Sequence, residues 1–360
     1  MDLPIATKQK GADVGFFDAT PQTLATALAA WDEPKYRVDQ ILDWVYRRGA
    51  EDYAAMSNLS KHLRGRLTET LPLFASTIVR RQDSGDGTKK LLLGWSDGTT
   101  SECVLIPDGD RRTACISTQV GCPVGCVFCA SGLTGLQRQL TTGQIVEQAM
   151  RVRQLSGPED RLSNVVFMGL GEPLANYEAT VAAVRTLNAE WGMGIGARKI
   201  TVSTVGLPTQ MRRLADEKMQ VTLALSLHAP NDELRRRIIP WAERVTIAEL
   251  VDAASYYFDV TGREITLEYI LLGGLNDGDE HAMQLAQVAR RMRCNVNLIQ
   301  YNPVEGLPYL RPGEGRAVAF MDILRSRFIN THLRRSRGLD IDAACGQLRR
   351  RAGSEPARSS

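Results

Sequence analysis

Cys122, Cys126 and Cys129 stand in a CxxxCxxC spacing on a loop punctuated by Gly121, Pro123 and Gly125. Thiolates this close on one bent loop can each take a different iron of a cubane iron–sulfur cluster, because the loop has only to wrap one face of the cube. The fourth iron then has no ligand from this loop, and an iron with an open position can bind a small molecule through amine and carboxylate groups. That is the arrangement by which a cluster passes an electron to S-adenosylmethionine, whose sulfonium bond breaks to give a 5′-deoxyadenosyl radical. A structural zinc loop is the competing reading. Zinc asks for a fourth ligand and more often uses two CxxC pairs, and no second pair exists here. Two isolated cysteines, Cys115 upstream and Cys345 far downstream, remain to be explained, whereas Cys103 and Cys294 read as small buried hydrophobes.

The elements that must hold this loop are legible as changes of period. Pro21–Ala30 and Tyr36–Tyr46 have helical spacing, Gly49 is a stop, and Met56, Leu59, Leu63 and Leu67 continue a third apolar stripe ended by Pro72. Lys35, Arg37, Arg47 and Arg48 on the polar side fit either RNA docking or a solvated covering module. Ile78–Arg81, Lys89–Trp95, Ser101–Ile106 and Arg112–Thr118 then run at strand length between Gly/Asp turns, a β-meander feeding the first strand of a larger sheet. From Thr141, which with Gln144 forms a capping box for a helix over Gly143–Leu155, strands and helices alternate. Strands are expected at Val165–Met168, Lys199–Ser203, Thr222–Leu227, Ile265–Leu271 and Val296–Ile299. Helices are expected at Tyr177–Asn188, Thr209–Glu217, Thr246–Phe258, Asp279–Met292 and Gly315–Arg327. Six βα units predict an α/β fold with an incomplete (β/α)6 parallel barrel, whose reactive groups belong at the C-terminal strand ends. The organisation expected is a helical module over residues 1–75, a meander over 76–111, a barrel core over 112–348 and a disordered basic tail over 349–360.

Small and polar residues do gather at those strand ends. Gly169-Leu170-Gly171-Glu172-Pro173, Ser203-Thr204, Ser226-Leu227-His228 and Tyr301-Asn302 follow four strands and make a lining for an adenosine-plus-methionine ligand. Composition sets the frame. The 360 residues carry 43% hydrophobic and 24% charged residues and a net charge of +3, as expected of a globular protein, and no apolar run is long enough to span a bilayer. Met1–Lys10 lacks the apolar core of a signal peptide, so the chain is expected in the cytoplasm, where seven cysteines stay reduced. Arg325, Arg327, Arg334, Arg335, Arg337, Arg349, Arg350 and Arg351 crowd the C-terminal region and read as a phosphate-facing surface or, for the last three, a solvated tail.

The CxxxCxxC loop, Gly169–Pro173, Ser226–Asp232, Leu271–Asp277 and Asp342–Leu348, with Tyr36–Tyr46 near the start, resemble in the same order the RlmN/Cfr family of radical S-adenosylmethionine RNA adenosine methyltransferases. The resemblance implies a radical-SAM partial barrel, a [4Fe-4S] cluster on Cys122, Cys126 and Cys129, and two S-adenosylmethionine molecules per turnover. Gly171, Glu172, Ser203, Ser226, Leu227, His228 and Asn302 would surround that ligand. It further implies Cys345 as the methyl-carrying cysteine, Cys115 as its resolving partner in a transient disulfide, and Glu102 as proton acceptor. The implied partners are an RNA, ribosomal or transfer, and a flavodoxin or ferredoxin as electron donor, acting on a monomer with no membrane. The implied reaction is methylation of carbon 2 of adenosine; one branch of the family modifies carbon 8. A radical activase would share the cluster loop but not depend on Cys345, and a zinc-stabilised RNA-binding module would carry no sulfide. The chain departs from the family at Gly135–Leu140 and at Ile299–Pro303, where Leu136, Gln139 and Gln300 replace the usual residues.

Overall fold

In the computed structural model the described residues are 14–157 and 160–348. Met1–Lys10 and the tail with Arg349, Arg350 and Arg351 lie outside them. The chain opens with α1 (Pro21–Ala29), capped by Thr20, and α2 (Tyr36–Leu42), which widens into a π-helical turn at Asp43–Arg47 before Gly49 ends it. The third apolar stripe is only partly helical. Ser60 accepts a hydrogen bond from Leu63 N and starts α3 (Lys61–Thr70) there, so Met56 and Leu59 are buried from the preceding turns rather than from the helix.

Strands β1 (Thr77–Asp83), β2 (Lys89–Gly94), β3 (Thr100–Asp108) and β4 (Arg111–Cys115) form the antiparallel meander. The last of these stops at Cys115, not Thr118, because the main chain of Ser117 leaves the ladder and pairs both its N–H and its carbonyl with the Gln148 amide, each at 2.9 Å. A hairpin the alternation did not disclose follows, β5 (Gln119–Gly121) with β6 (Leu136–Gln139), and the cysteine loop is its connection. Next come α4 (Thr142–Gln154), closed by the Thr141/Gln144 capping box, β7 (Asn164–Phe167), α5 (Tyr177–Asn188), β8 (Ile200–Thr204), α6 (Pro208–Asp216) and β9 (Thr222–Ser226). The remainder is α7 (Asp232–Ile238), α8 (Ile247–Thr261), β10 (Ile265–Leu271), α9 (Asp279–Ala289), β11 (Cys294–Gln300), α10 (Glu314–Ser326) and β12 (Thr331–Arg334). Neither α7 nor β12 was expected from the sequence.

One sheet runs in the order β1-β2-β3-β4-β7-β8-β9-β10-β11-β12, and it is parallel from β4 onward. Six βα units therefore build an open barrel with the meander on one edge and β12 on the other, the partial barrel expected from the sequence. The N-terminal helices share the barrel's core. Phe16 and Phe17 pack against Tyr46, which meets Trp191 edge-on at 6.0 Å. Asp18 accepts from Gly143 N at 2.7 Å at the start of α4, and buried Glu147 accepts from Ala75 N and Ser76 N at 2.9 and 2.8 Å. Among the described residues no helix is long and apolar enough to cross a membrane.

Of the arginines near the C-terminus, Arg334, Arg335 and Arg337 line one open cavity together with Arg111 and His332. Arg325 donates to Thr331 O, Arg327 to Ile323 O, Arg337 pairs with Asp108, and Arg334 turns toward the barrel interior. The N-terminal basic residues are similarly engaged in part: Arg37 meets Glu33 and Asn58 O, and Arg48 pairs with Asp43 over the Trp44 ring.

Candidate active site

The cysteine loop leaves β5 at Gly121, where φ is +81° and a Cβ would stand 1.9 Å from the Gly135 carbonyl oxygen. Cys129 N bonds Cys126 O at 3.2 Å, and Val127 N bonds Ile238 O at the end of α7, which fixes the loop to the barrel wall. Its far side is zipped to the C-terminal segment: Ala130 N donates to Gly346 O at 2.8 Å and the Ser131 hydroxyl to Leu348 O at 2.9 Å. Cys122, Cys126, Cys129 and Cys345 line one cavity of about 920 Å³, open mouth included, within the range of small-molecule sites. Burial pushes the Cys122 thiol up to about 12 and Cys126 well above its ordinary value, so these sulfurs are held neutral unless a strongly charged metal centre compensates them. Among the described residues no three His, Cys, Asp or Glu side chains could hold a single metal ion. Three thiols on one wrapped loop at the edge of one cavity fit a polynuclear cluster that spreads its ligands over several irons.

Gly171, Glu172, Ser203, Ser226 and His228 line the same cavity. Gly171 has φ +105°, and a side chain there would meet Gln119 at 2.6 Å, so the β7 loop brings bare main chain to the cavity wall. Both oxygens of Glu172 are engaged by main chain, Oε1 with Leu174 N at 2.9 Å and Oε2 with Val205 N at 2.8 Å. Burial outweighs these bonds and raises its carboxyl to about 7. The side chain therefore clamps the β7 end to the β8 end, beside any lone pair it offers a ligand. Ser203 and Ser226 hydroxyls stand 3.4 Å apart on neighbouring strands. His228, in the left-handed region at φ +59°, accepts from Ile270 N through Nδ1 at 3.1 Å and meets Phe128 edge-on at 5.3 Å. Burial lowers it to about 3, so the ring is neutral and its proton sits on Nε2.

Leu227 and Asn302 stand just behind the wall. Leu227 is fully buried, and the Asn302 amide donates to Cys345 O at 3.1 Å. Cys345 is exposed as a residue yet lines the cavity; its surroundings raise the thiol, and the Arg334 guanidinium opposes that rise. Cys115 lies below, in a small apolar cluster with Val104, Leu170, Ile341, Ala343 and Leu348 that joins the meander to the Cys345 loop. Both thiols are free, so the transient disulfide is not formed here, although Cys345 is near enough to raise Cys115, after burial, to about 12. Glu102 does not line the cavity. It lies on β3, on the face shared with Val104, whose ladder partner is Cys115.

Residue patterns left three neighbours unmarked. Glu268 is 3% exposed on β10, accepts from Asn297 at 3.0 Å and stands 3.5 Å from Arg334; both line the cavity. A lone carboxylate at an inward position of an otherwise apolar strand was the available signal. Arg334 was visible only as one of a crowd, and Lys90 as one of a Lys pair.

Residues 116–286 match the Radical SAM superfamily, and residues 14–72 match the Ribosomal RNA large subunit methyltransferase N-terminal domain. A probable dual-specificity RNA methyltransferase RlmN of Rhodopirellula baltica is 46% identical over 318 residues, 88% of this chain and 86% of the relative. This chain belongs to the RlmN family. Another RlmN relative, from Gloeobacter violaceus, is 46% identical over 93% of the chain and 96% of its own length. The crystal structure of a radical SAM methyltransferase from Sphaerobacter thermophilus superposes with a TM-score of 0.91 at 48% identity, covering 94% of this chain and 99% of that one. An RlmN-type chain is a radical SAM RNA methyltransferase that uses a [4Fe-4S] cluster and S-adenosylmethionine and takes RNA as its substrate.

Proposed function

We propose that this protein methylates carbon 2 of an adenosine in large-subunit 23S ribosomal RNA, in transfer RNA or in both, through an S-methylcysteine at Cys345. Carbon 2 lies between two ring nitrogens and is electron-poor, so it does not accept a methyl cation from a sulfonium; a carbon radical must attack instead. When bound, the cluster and S-adenosylmethionine supply a 5′-deoxyadenosyl radical that can take a hydrogen atom from an S-methyl group. Cys122, Cys126 and Cys129 hold the cluster, and the main chain at Gly171–Glu172 with Ser203, Ser226, Leu227, His228 and Asn302 surrounds the nucleoside ligand. Cys345 displaces a methyl group from one S-adenosylmethionine as a thiolate and carries it as a thioether. Its methylene, one hydrogen atom short, bonds to carbon 2; the unpaired electron this leaves on the ring would return to the cluster when bound, and Glu102 takes the ring proton, which restores the aromatic ring. The Cys115 sulfur then attacks the Cys345 sulfur as a thiolate; the sulfur–sulfur bond forms as the carbon–sulfur bond breaks, the methylene keeps that electron pair and takes up a proton, and methyladenosine leaves.

The observation that carries this reading is the placement of Cys345 on the cavity of the three-cysteine loop with Cys115 in the apolar cluster beneath. In the same reading residues 1–75 dock RNA, residues 76–111 and 112–348 form the meander and the barrel, and the basic tail 349–360 follows. A cytoplasmic flavodoxin or ferredoxin reduces the monomer. Mass spectrometry of digested RNA from cells with and without the protein reports both base position and RNA; methylation at carbon 8 alone would replace the carbon 2 assignment. Cys345→Ala should keep cluster loading and reductive cleavage of S-adenosylmethionine while losing RNA methylation altogether. Intact methylation would end the two-cysteine scheme.

A further inference from the structure

Lys90 is a buried ammonium, 5% exposed, on the second strand of the meander. Its ladder partner is Val104 and that of Val104 on the next strand is Cys115, so Lys90, Glu102, Val104 and Cys115 share one face of the sheet. Lys90 Nζ stands 3.2 Å from Glu102 Oε1 and donates to the Asp342 carbonyl at 3.0 Å. Asp342 holds the left-handed conformation at φ +51° on the loop that carries Cys345. Glu102 Oε2 is buried with no hydrogen-bond partner. A buried ion pair kept for stability alone would satisfy its remaining lone pairs, since a buried polar atom that has lost its water and gained no partner destabilises the fold. Here one carboxylate oxygen is fixed by the ammonium and the other is buried without a partner, so the carboxylate is held in a single orientation with a lone pair unused. The same ammonium ties that orientation to the loop bearing the methyl-carrying thiol.

We propose that Lys90 is a positioning residue that aims Glu102 Oε2 at the departing ring proton and couples this aim to the seating of the Cys345 loop. The proposal rests on the roles read above for Glu102 and Cys345. The proton from adenine ends on Oε2, the ring keeps the C–H electron pair and would pass its one unpaired electron back to the bound cluster, the carboxylate becomes a neutral acid, and Lys90 neither gives nor takes a proton in the step. The charged and titratable groups on the side of Glu102 are Lys90, Asp342 and Cys115, while Cys103, next to it in sequence, lies on the opposite face of the strand.

The test uses the full chain, reconstituted with its cluster, and unmodified ribosomal and transfer RNA transcripts. Lys90→Met should still methylate Cys345, seen by intact mass, but release methyladenosine at least about tenfold more slowly, the low end of what a general base contributes being about a hundredfold. An RNA–protein adduct should accumulate. The rise of the release rate with pH should move to higher pH, because the ammonium favours the ionised carboxyl; Lys90→Arg should restore rate and profile in part. Hydrogen exchange over residues 339–348 should quicken in Lys90→Met and stay slow in Glu102→Gln. The double variant Lys90→Met with Glu102→Gln leaves no lone buried charge and controls for folding. Wild-type release with an unmoved pH profile, or equal loss of Cys345 methylation and of release in Lys90→Met when the double variant folds, overturns the proposal. Unchanged exchange over the loop overturns the coupling. Only methylation surviving in Cys345→Ala would overturn the underlying reading.

Discussion

At the scale of single residues the chain stores unusual protonation states where chemistry is assigned. Burial raises Glu102 to about 7, with Lys90 pulling downward and Asp342 upward. Between about 4.5 and about 7 the folded chain therefore keeps a proton at Glu102 that the unfolded chain releases, so unfolded minus folded proton binding is negative and stability falls as pH rises through that window. Glu172, raised likewise, adds to the same slope, so the ligand-free protein should melt at a lower temperature at about pH 7.5 than at about pH 5, and Glu102→Gln should make that slope shallower. A Glu102→Gln protein with an unaltered slope would mean the carboxyl does not titrate there. The residues that sequence did not mark are those whose meaning comes from across the fold. Cys122, Cys126 and Cys129 are read from spacing alone because one loop carries all of them. Lys90, Glu268 and Arg334 sit on three strands, and only the folded sheet brings Lys90 to Glu102 or Arg334 to Glu268.

At the scale of elements, long amphipathic helices such as α5 and strands such as β10 were legible to within a residue or so because their periods persist. The helix α7 was not, since a seven-residue run rich in Arg and acidic side chains reads as a solvated turn. Its Arg235 is fully buried all the same, donating to Val205 O at 2.5 Å and Leu227 O at 3.2 Å, and so closing two strand ends that a side-chain pattern cannot show to be open. The β5–β6 hairpin escaped notice because its first strand is only three residues long. That hairpin makes a sharp prediction. Gly121→Ala puts a methyl group against the Gly135 carbonyl and forces a left-handed alanine, a strain of about 1–3 kcal/mol or more, so iron and sulfide content after anaerobic reconstitution should drop well below that of the wild type. Full loading would show that the hairpin does not set the loop.

For the whole molecule the question is whether the helical module stands apart. The end of its helices was legible from Pro72 and the change of period, α3 stopping at Thr70 and β1 starting at Thr77, whereas its docking was not, because Asp18, Glu147 and Arg153 act through main-chain groups far away in sequence. Arg153 donates to the carbonyls of Tyr46 and Arg47, and one apolar core runs from Phe16 to Ile329. Calorimetry should show one cooperative transition, and Asp18→Ala should lower its midpoint, the lost acceptor being worth about 1–2 kcal/mol. Two resolved transitions would mean that module and barrel unfold independently.

The zipper between the cysteine loop and the C-terminal segment makes the loop's surroundings depend on the far end of the chain. Ser131 and Leu348 are separated by 217 residues, yet the bond between them helps to close the wall behind the three thiols. A chain that ends soon after Cys129 has all three thiols but not this wall, and such a fragment should take up iron and sulfide less well on anaerobic reconstitution than the full chain.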